Sequence, residues 1–230
     1  MVDIAANCRV ISDRIGAAAA RSGRDPGAVK LLAASKSQSI ERVRAAMAAG
    51  IRLFGENYVQ EAQAKKAAAG SSVEWHMIGH LQRNKVKIAA ELFDVIESLD
   101  SVELARALDR EAAARKRTVR ALVEVNLAGE ASKSGIAKER VASLLDAIVS
   151  LQHLKIEGLM TVPPMSDDPE STRPYFRMLA ELNRKLKRQE AANIHLKELS
   201  MGMSQDYEVA IEEGSTLVRI GTALFGPRGE

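Results

Sequence analysis

The chain has 230 residues, 46% of them hydrophobic and only 3% aromatic, and its 33 Lys and Arg barely outnumber its 30 Asp and Glu. A surplus that small excludes a polyanion-binding surface as the default reading, and this much aliphatic side chain suffices for one buried core over residues 1–230 without a second domain. One cysteine excludes an internal disulfide framework and fits a reducing compartment, and no run reaches the ~18 apolar residues of a membrane span, so a soluble cytoplasmic protein is expected.

Ile4, Cys8, Ile11 and Ile15 fall on one helical stripe, which predicts a helix over residues 3–20 with Cys8 as a packing residue. Asp3, Arg9, Asp13 and Arg14 interrupt the same stretch and exclude a signal peptide there. Short apolar runs then recur at 30–35, 52–56, 74–79, 94–100, 120–127, 156–162, 196–202 and 216–221. Between them the period is helical, as in Val102, Ala105 and Leu108 behind an Asp100/Glu103 capping-box pair, or in Tyr175, Leu179, Leu182 and Leu186. Eight strands alternating with helices in a chain of this length predict an α/β protein, a single (β/α)8 TIM-type barrel with the extra N-terminal helix covering an end or a side. A doubly wound open sheet uses the same units, but its Gly-x-Gly-x-x-Gly turn is absent: Leu32 is followed by Ala-Ala-Ser-Lys-Ser.

Barrels of this kind carry chemistry at the carboxyl ends of their strands, which directs attention to the polar residues there. Lys36 closes the first strand, where an apolar run turns abruptly cationic. After the seventh comes LSMGMSQDYEVA, a small-residue turn that feeds a helix Ser204 is placed to cap; after the eighth, VRIGTALFG makes a Gly-Thr turn. Glycines let the main chain approach an anion, and Ser200, Ser204 and Thr222 add hydroxyls, so these two loops are the expected phosphate site. Arg219, inside the eighth strand, lies where both faces are buried and therefore requires a partner. A lysine able to form an imine, a phosphate cradle and a guanidinium for a ring nitrogen are together what pyridoxal 5′-phosphate demands, with Lys36 crossing the barrel mouth to a cofactor anchored on the far side.

The same residues sit in motifs that resemble a known family, the pyridoxal phosphate homeostasis proteins. LLAASKS, FGENYVQEAQAK, WHMIGHLQRNK, EVNLAGEASKSGI, EGLMTV, LSMGMSQDYEVAI and GSTLVRIGTALFG occur in the family's order and spacing, nearly end to end. The resemblance implies a barrel similar to the N-terminal domain of alanine racemase, the type III fold of pyridoxal phosphate proteins, and a role in intracellular storage, protection and delivery of the cofactor. It implies that Lys36 carries the Schiff base, that Asn57 lies beside the ring, and that Arg219 faces the pyridine nitrogen. It gives the phosphate to Ser200, Met203 (through its backbone), Ser204, Gly221 and Thr222. His80 and Val162 depart from the usual family residues, at positions with no cofactor role.

Other features receive plainer readings. His76 and His80, at i and i+4, would share a helix face, but EWHMIG reads as a strand, so no metal is assigned to them. NLAGEASKSG has the small residues of a mobile loop in which Lys133 faces either an anion or solvent, and the runs ARKR and RKLKR read as solvated helix surface. Glu56 is expected to position its loop rather than move protons. An arginine cannot protonate the ring nitrogen, which weakens the ring as an electron sink. The sequence also offers no second domain to supply an opposing acid/base group, so a carrier is expected, with an amino-acid racemase acting from the barrel alone as the competing reading. Apo-enzymes that need the cofactor are the expected recipients, nucleic acid and membrane are not expected partners, and a monomer is favoured because no long apolar edge or heptad seam stands out.

Overall fold

The computed structural model describes residues 2–70, 72–130 and 134–227. Strands β1 (Lys30–Ala34), β2 (Leu53–Glu56), β3 (Glu74–Met77), β4 (Val95–Leu99), β5 (Val119–Asn126), β7 (Leu154–Met160), β8 (Ile194–Met203) and β9 (Leu217–Ile220) pair in parallel. The sheet closes because β1 pairs with β9 at one seam and β4 with β5 at another. The two-residue strand β6 (Ile136–Ala137) pairs with the end of β5 outside that circle. The expected seventh and eighth strands are therefore β8 and β9, and the expected barrel is the one observed.

Helices α2 (Ile40–Ala48), α3 (Val59–Ala69), α4 (Val86–Leu92), α5 (Val102–Ala114), α6 (Val141–Ile148), α7 (Arg173–Leu186) and α8 (Tyr207–Glu212) occupy the crossovers, and α9 (Thr222–Phe225) follows β9. Strand residues that face outward, among them Ala33, Phe54, Trp75, Ile96, Val218 and Ile220, merge with the helices' inner stripes into one large core. Helix α1 (Ile4–Arg21) precedes the barrel, and its Ile4, Cys8, Ile11 and Ile15 stripe is buried as expected. On its outer side Arg21 pairs with Glu208 and Glu212 of α8, which ties the added helix to the last βα unit.

One local expectation is corrected. Asp100 does not cap α5: the cap is Ser101, immediately before the first helical residue Val102, and its hydroxyl accepts from Leu104 N at 3.4 Å.

The barrel interior is unusual. Layers of branched aliphatics commonly fill such a barrel, yet among the described residues only Val95, Leu122 and Met160 form an apolar cluster separate from the main core. Alternation along each strand directs His76, Ser200 and Arg219 inward, since their chain neighbours Trp75, Met77, Leu199, Met201, Val218 and Ile220 pack outward with the helices. Glu97 joins them from β4.

Candidate functional site

The strand order decides how the site residues meet. Asn57 follows β2, Lys36 follows β1, Gly221 and Thr222 follow β9, and Ser204 follows β8, and these four strands are consecutive around the barrel. In register, Ala34 lies level with Gly55, and Ala33 with Ile220, so Lys36 stands between Asn57 on one side and the Gly-Thr turn on the other. The expectation that Lys36 crosses to the far side of the mouth is therefore wrong. Closure of the barrel makes the first and last strands neighbours, and a Cβ built on Gly221 would come within 3.5 Å of the Ala34 carbonyl oxygen.

Lys36 is half-buried in the turn after β1, and that turn is held from outside the barrel. Ser35 is fully buried and donates to Glu56 Oε1 at 2.6 Å, while the Lys65 ammonium of α3 donates to Glu56 Oε1 at 2.7 Å and to the Ser35 carbonyl at 2.6 Å. Ser37, at φ 61°, is in the left-handed region that costs a residue with a Cβ, and its N–H donates to Glu61 at 2.8 Å. Glu56 thus positions its loop, as expected; burial raises its carboxyl above the usual range against the opposing pull of Lys65 and Ser35.

Asn57 rests against the end of β3. A Cβ on Gly79 would lie 2.7 Å from the Asn57 carbonyl oxygen and 2.8 Å from its Cα, so only glycine permits this approach. Gly79 is a site-shaping residue that inspection of the sequence missed, although it stands in WHMIGH directly after a strand.

On the other flank, Ser204 does not cap α8. Asp206 occupies that N-cap position, and the Ser204 hydroxyl instead accepts from the backbone N–H groups of Gly221 and Ala223, both at 3.2 Å. Two main-chain donors from the β9 turn thus converge on one oxygen, the arrangement an anion oxygen would take. Gly202, at φ 92°, makes the turn before it; a Cβ there would meet the Ala210 Cβ at 2.6 Å. Met203 N–H donates to Asp206 Oδ1 at 2.6 Å, so that donor is already engaged. Asp206 itself is buried, which raises its carboxyl.

Ser200 departs further from its expected role. It is fully buried inside the barrel, below the loop, with its hydroxyl donating to Glu97 Oε2 at 2.5 Å and accepting from Arg219 Nη1 at 2.5 Å. A hydroxyl has a single proton to donate, and here it is committed to a carboxylate, so Ser200 is placed to hold the arginine and not a phosphate.

Arg219 has the partners its burial requires. Nη2 donates to the Thr161 carbonyl at 2.8 Å, and the Glu97 carboxylate lies 3.8 Å from Nη1. Two of five guanidinium N–H groups account for the Ser200 and Thr161 bonds, which leaves capacity for an acceptor above. Both ring nitrogens of His76 are engaged, Nδ1 with Glu97 at 2.6 Å and Nε2 with Glu74 at 2.8 Å, whereas His80 lies near Asp100, 3.8 Å away. Burial disfavours the imidazolium, but the two carboxylates outweigh it and push His76 up to about 9. Glu74, bonded to His76 and Arg120, is pulled down to about 2. Lys133 lies outside the described residues.

Fold and strand-end site together define a class, the alanine racemase type of barrel, and the family model for the alanine racemase N-terminal domain matches residues 3–229. Within that class the chain belongs to the pyridoxal phosphate homeostasis protein family. It is 44% identical over 219 residues to the pyridoxal phosphate homeostasis protein of Aquifex aeolicus, covering 95% of each chain. It is also similar to PipY of Synechococcus elongatus PCC7942, solved with PLP bound, at 38% identity and a TM-score of 0.82 over 94% of this chain and 100% of that one. An alanine racemase of Clostridium difficile 630 shares the fold at 13% identity and a TM-score of 0.72, but 97% of this chain covers only 57% of the racemase chain. Among the described residues no helix is long and apolar enough to cross a membrane.

Proposed function

We propose that this chain binds pyridoxal 5′-phosphate at the top of the barrel and acts as an intracellular carrier that stores, shields and delivers it. The observation that carries the reading is the arc of four adjacent strand ends: an amine, two convergent backbone N–H donors beside a Gly-Thr turn, and a buried guanidinium beneath. The cofactor, when bound, would supply an aldehyde, and Lys36 is the amine placed to hold it covalently. Ser204, Gly221, Ala223 and Thr222 take the phosphate. A phosphate oxygen would replace the Ser204 oxygen at the two N–H groups, and Ser204 would turn its proton toward that anion. Asn57 holds the ring edge against Gly79. Arg219 presents a donor to the ring nitrogen and keeps it unprotonated.

Delivery fits the same geometry. Lys36 and the Gly-Thr turn lie at the open strand ends, where an incoming amine can exchange with the lysine. The match to 95% of the length of a homeostasis relative at 44% identity, against 57% of a racemase chain at 13%, supports a carrier over a racemase.

Borohydride reduction of the cofactor-loaded protein should fix the cofactor on the peptide containing Lys36, and Lys36→Ala should lose the adduct at least tenfold. A trapped adduct on another lysine, or none, overturns the assignment. Loaded protein should also activate cofactor-requiring apo-enzymes; failure across several acceptors refutes delivery. Solvent deuterium entering the α-position of amino acids, and lost in Lys36→Ala, would favour the enzyme.

A further inference from the structure

A continuous hydrogen-bonded chain runs through the barrel from its floor to Arg219. Glu74 Oε1 bonds His76 Nε2 at 2.8 Å, His76 Nδ1 bonds Glu97 Oε1 at 2.6 Å, Glu97 Oε2 accepts from Ser200 at 2.5 Å, and Ser200 accepts from Arg219 at 2.5 Å. Its lower end opens on a cavity of about 120 Å³ between the amino ends of the strands, lined by Lys30, Glu74, His76, Arg120, Glu157 and Glu198 among others. Its upper end is the guanidinium that faces the proposed ring nitrogen. Every link is charge-assisted or joins a charged group to a hydroxyl, and the inner links are out of solvent, where such interactions are screened least.

We propose that His76, Glu97 and Ser200 are positioning residues that set the orientation and electrostatic pull of Arg219 on the bound cofactor, so that the charge on His76 is read at the ring. This rests on the cofactor reading above. Of the four residues His76, Glu97, Ser200 and Arg219, only Arg219 touches the cofactor; the other three act through it.

The coupling follows from the way charge is shared. Glu97 is a single carboxylate between two cations, His76 on one oxygen and, through Ser200, Arg219 on the other. While His76 is charged it draws on Glu97 and leaves Arg219 free to donate upward. When His76 loses its proton, Glu97 turns its full charge toward Ser200 and Arg219, and the guanidinium is pulled down from the ring. The other charged groups around His76 stay paired among themselves: Glu74 of β3 with Arg120 of β5 at 2.8 Å, Arg120 with Glu157 of β7 at 3.6 Å, and Lys30 of β1 with Glu198 of β8 at 2.5 Å. Glu124 of β5 is raised by burial and is bonded to Ser134 at 2.8 Å. Asp206, which also faces Arg219, is raised by burial as well. The group raised to about 9 is His76, so its charge is the one lost as pH rises through that range. Linkage then requires the effect to be reciprocal: loading the cofactor must move the His76 titration.

The test has one arm with cofactor and one without. In the cofactor-free protein, the His76 ring resonances should titrate well above an ordinary histidine, and Ser200→Ala should shift that midpoint upward, because Glu97 loses its other donor. In the loaded wild type, the visible absorption band should shift with the same midpoint as His76. His76→Gln should abolish that shift while borohydride still traps the adduct on Lys36. A cofactor band indifferent to the His76 titration overturns the proposal, as does a pH profile of His76→Gln that superimposes on the wild type. If His76→Gln fails to fold, the wild-type comparison of the two midpoints decides alone. Absence of a trapped adduct in the wild type would refute the cofactor reading instead, and the cofactor-free arm would still show whether Ser200 couples to His76.

Discussion

Two buried clusters in this barrel are built from the same parts and behave differently. Outside the barrel wall, Ser35, Glu56 and Lys65 combine a hydroxyl, a carboxylate and a cation behind the lysine turn. Inside it, Ser200, Glu97 and Arg219 combine the same three groups beneath the ring position. In the outer cluster both donors crowd onto Oε1 of Glu56, and Oε2 finds no partner among the described residues. Glu97 has both oxygens engaged, one by His76 and one by Ser200. Burial raises carboxyls at both places, but at Glu97 the His76 and Arg219 charges overcome it and the carboxyl is lowered, whereas at Glu56 burial prevails. Two cations, His76 and Arg219, hold the Glu97 charge, whereas Lys65 and the Ser35 hydroxyl do not offset burial at Glu56.

The most severe way to break this comparison is to remove the acids. Glu97→Ala strands His76 and Arg219 in the barrel interior, and a loss of ~3–5 kcal/mol is expected, as for breaking a buried ion pair from one side. Glu56→Gln should cost only about 1 kcal/mol, because the amide oxygen still accepts and Lys65 keeps the Ser35 carbonyl at 2.6 Å and Glu61 at 3.2 Å. Reversible urea unfolding of the two variants reads the difference. Equal losses would show that the orphaned oxygen of Glu56 is satisfied by solvent.

Titration sharpens the contrast, since the two carboxyls shift in opposite directions, Glu97 down and Glu56 up. His76 is raised from 6.5 to about 9, so its contribution is fully present below about pH 6.5 and is lost as pH rises through 9. That shift corresponds to ~3 kcal/mol at most. Glu74, lowered to about 2, contributes above its ordinary value of 4.5 and loses that contribution as pH falls through 2. Glu56, raised by burial, runs the other way to Glu74: it favours the fold when protonated and withdraws that help as pH rises from 4.5 through its elevated value. His76→Gln should flatten the alkaline limb of stability against pH, and Glu56→Gln the weakly acidic limb. Midpoints of urea unfolding across pH 4 to 10 measure both; an alkaline limb unchanged in His76→Gln would contradict the assignment.

The periodicity of the sequence suffices for the barrel, because a parallel strand buried on both faces leaves an uninterrupted apolar run that side-chain pattern reveals directly. It suffices for the strand ends too, where Lys36, Asn57, Ser204, Gly221 and Thr222 break those runs. What the residues do not show is which strand ends are neighbours. Lys36 was expected to reach across the mouth, yet closure sets β1 beside β9, a relation carried by hydrogen bonds between segments nearly 190 residues apart. Hydroxyl allegiance is equally hidden. Ser200 and Ser204 look alike in LSMGMS, but alternation buries the first among charges and frees the second to gather backbone N–H groups. Glu97 carries a legible signal that was passed over: an acid in the middle of VIESL, in a strand buried on both faces, needs a cation, as Arg219 does. Pairing those two demands would have exposed the inner cluster from sequence alone.

A perturbation without any change of charge tests whether the outer half of the site depends on contact. Gly79 carries no side chain, and a Cβ there would press to 2.7 Å from the Asn57 carbonyl oxygen and 3.0 Å from its Cβ. Gly79→Ala must move Asn57 or the end of β3 by several tenths of an ångström, an overpacking expected to cost about 1–2 kcal/mol. The three atoms nearest a Cβ there all belong to Asn57, so the His76 titration should stay in place while cofactor affinity falls a few-fold through Asn57. Isothermal titration of the variant with pyridoxal 5′-phosphate, alongside the His76 resonance, separates the two. Unchanged affinity would remove Asn57 from the ring, and a displaced His76 midpoint would mean that the strand ends and the barrel interior move as one body.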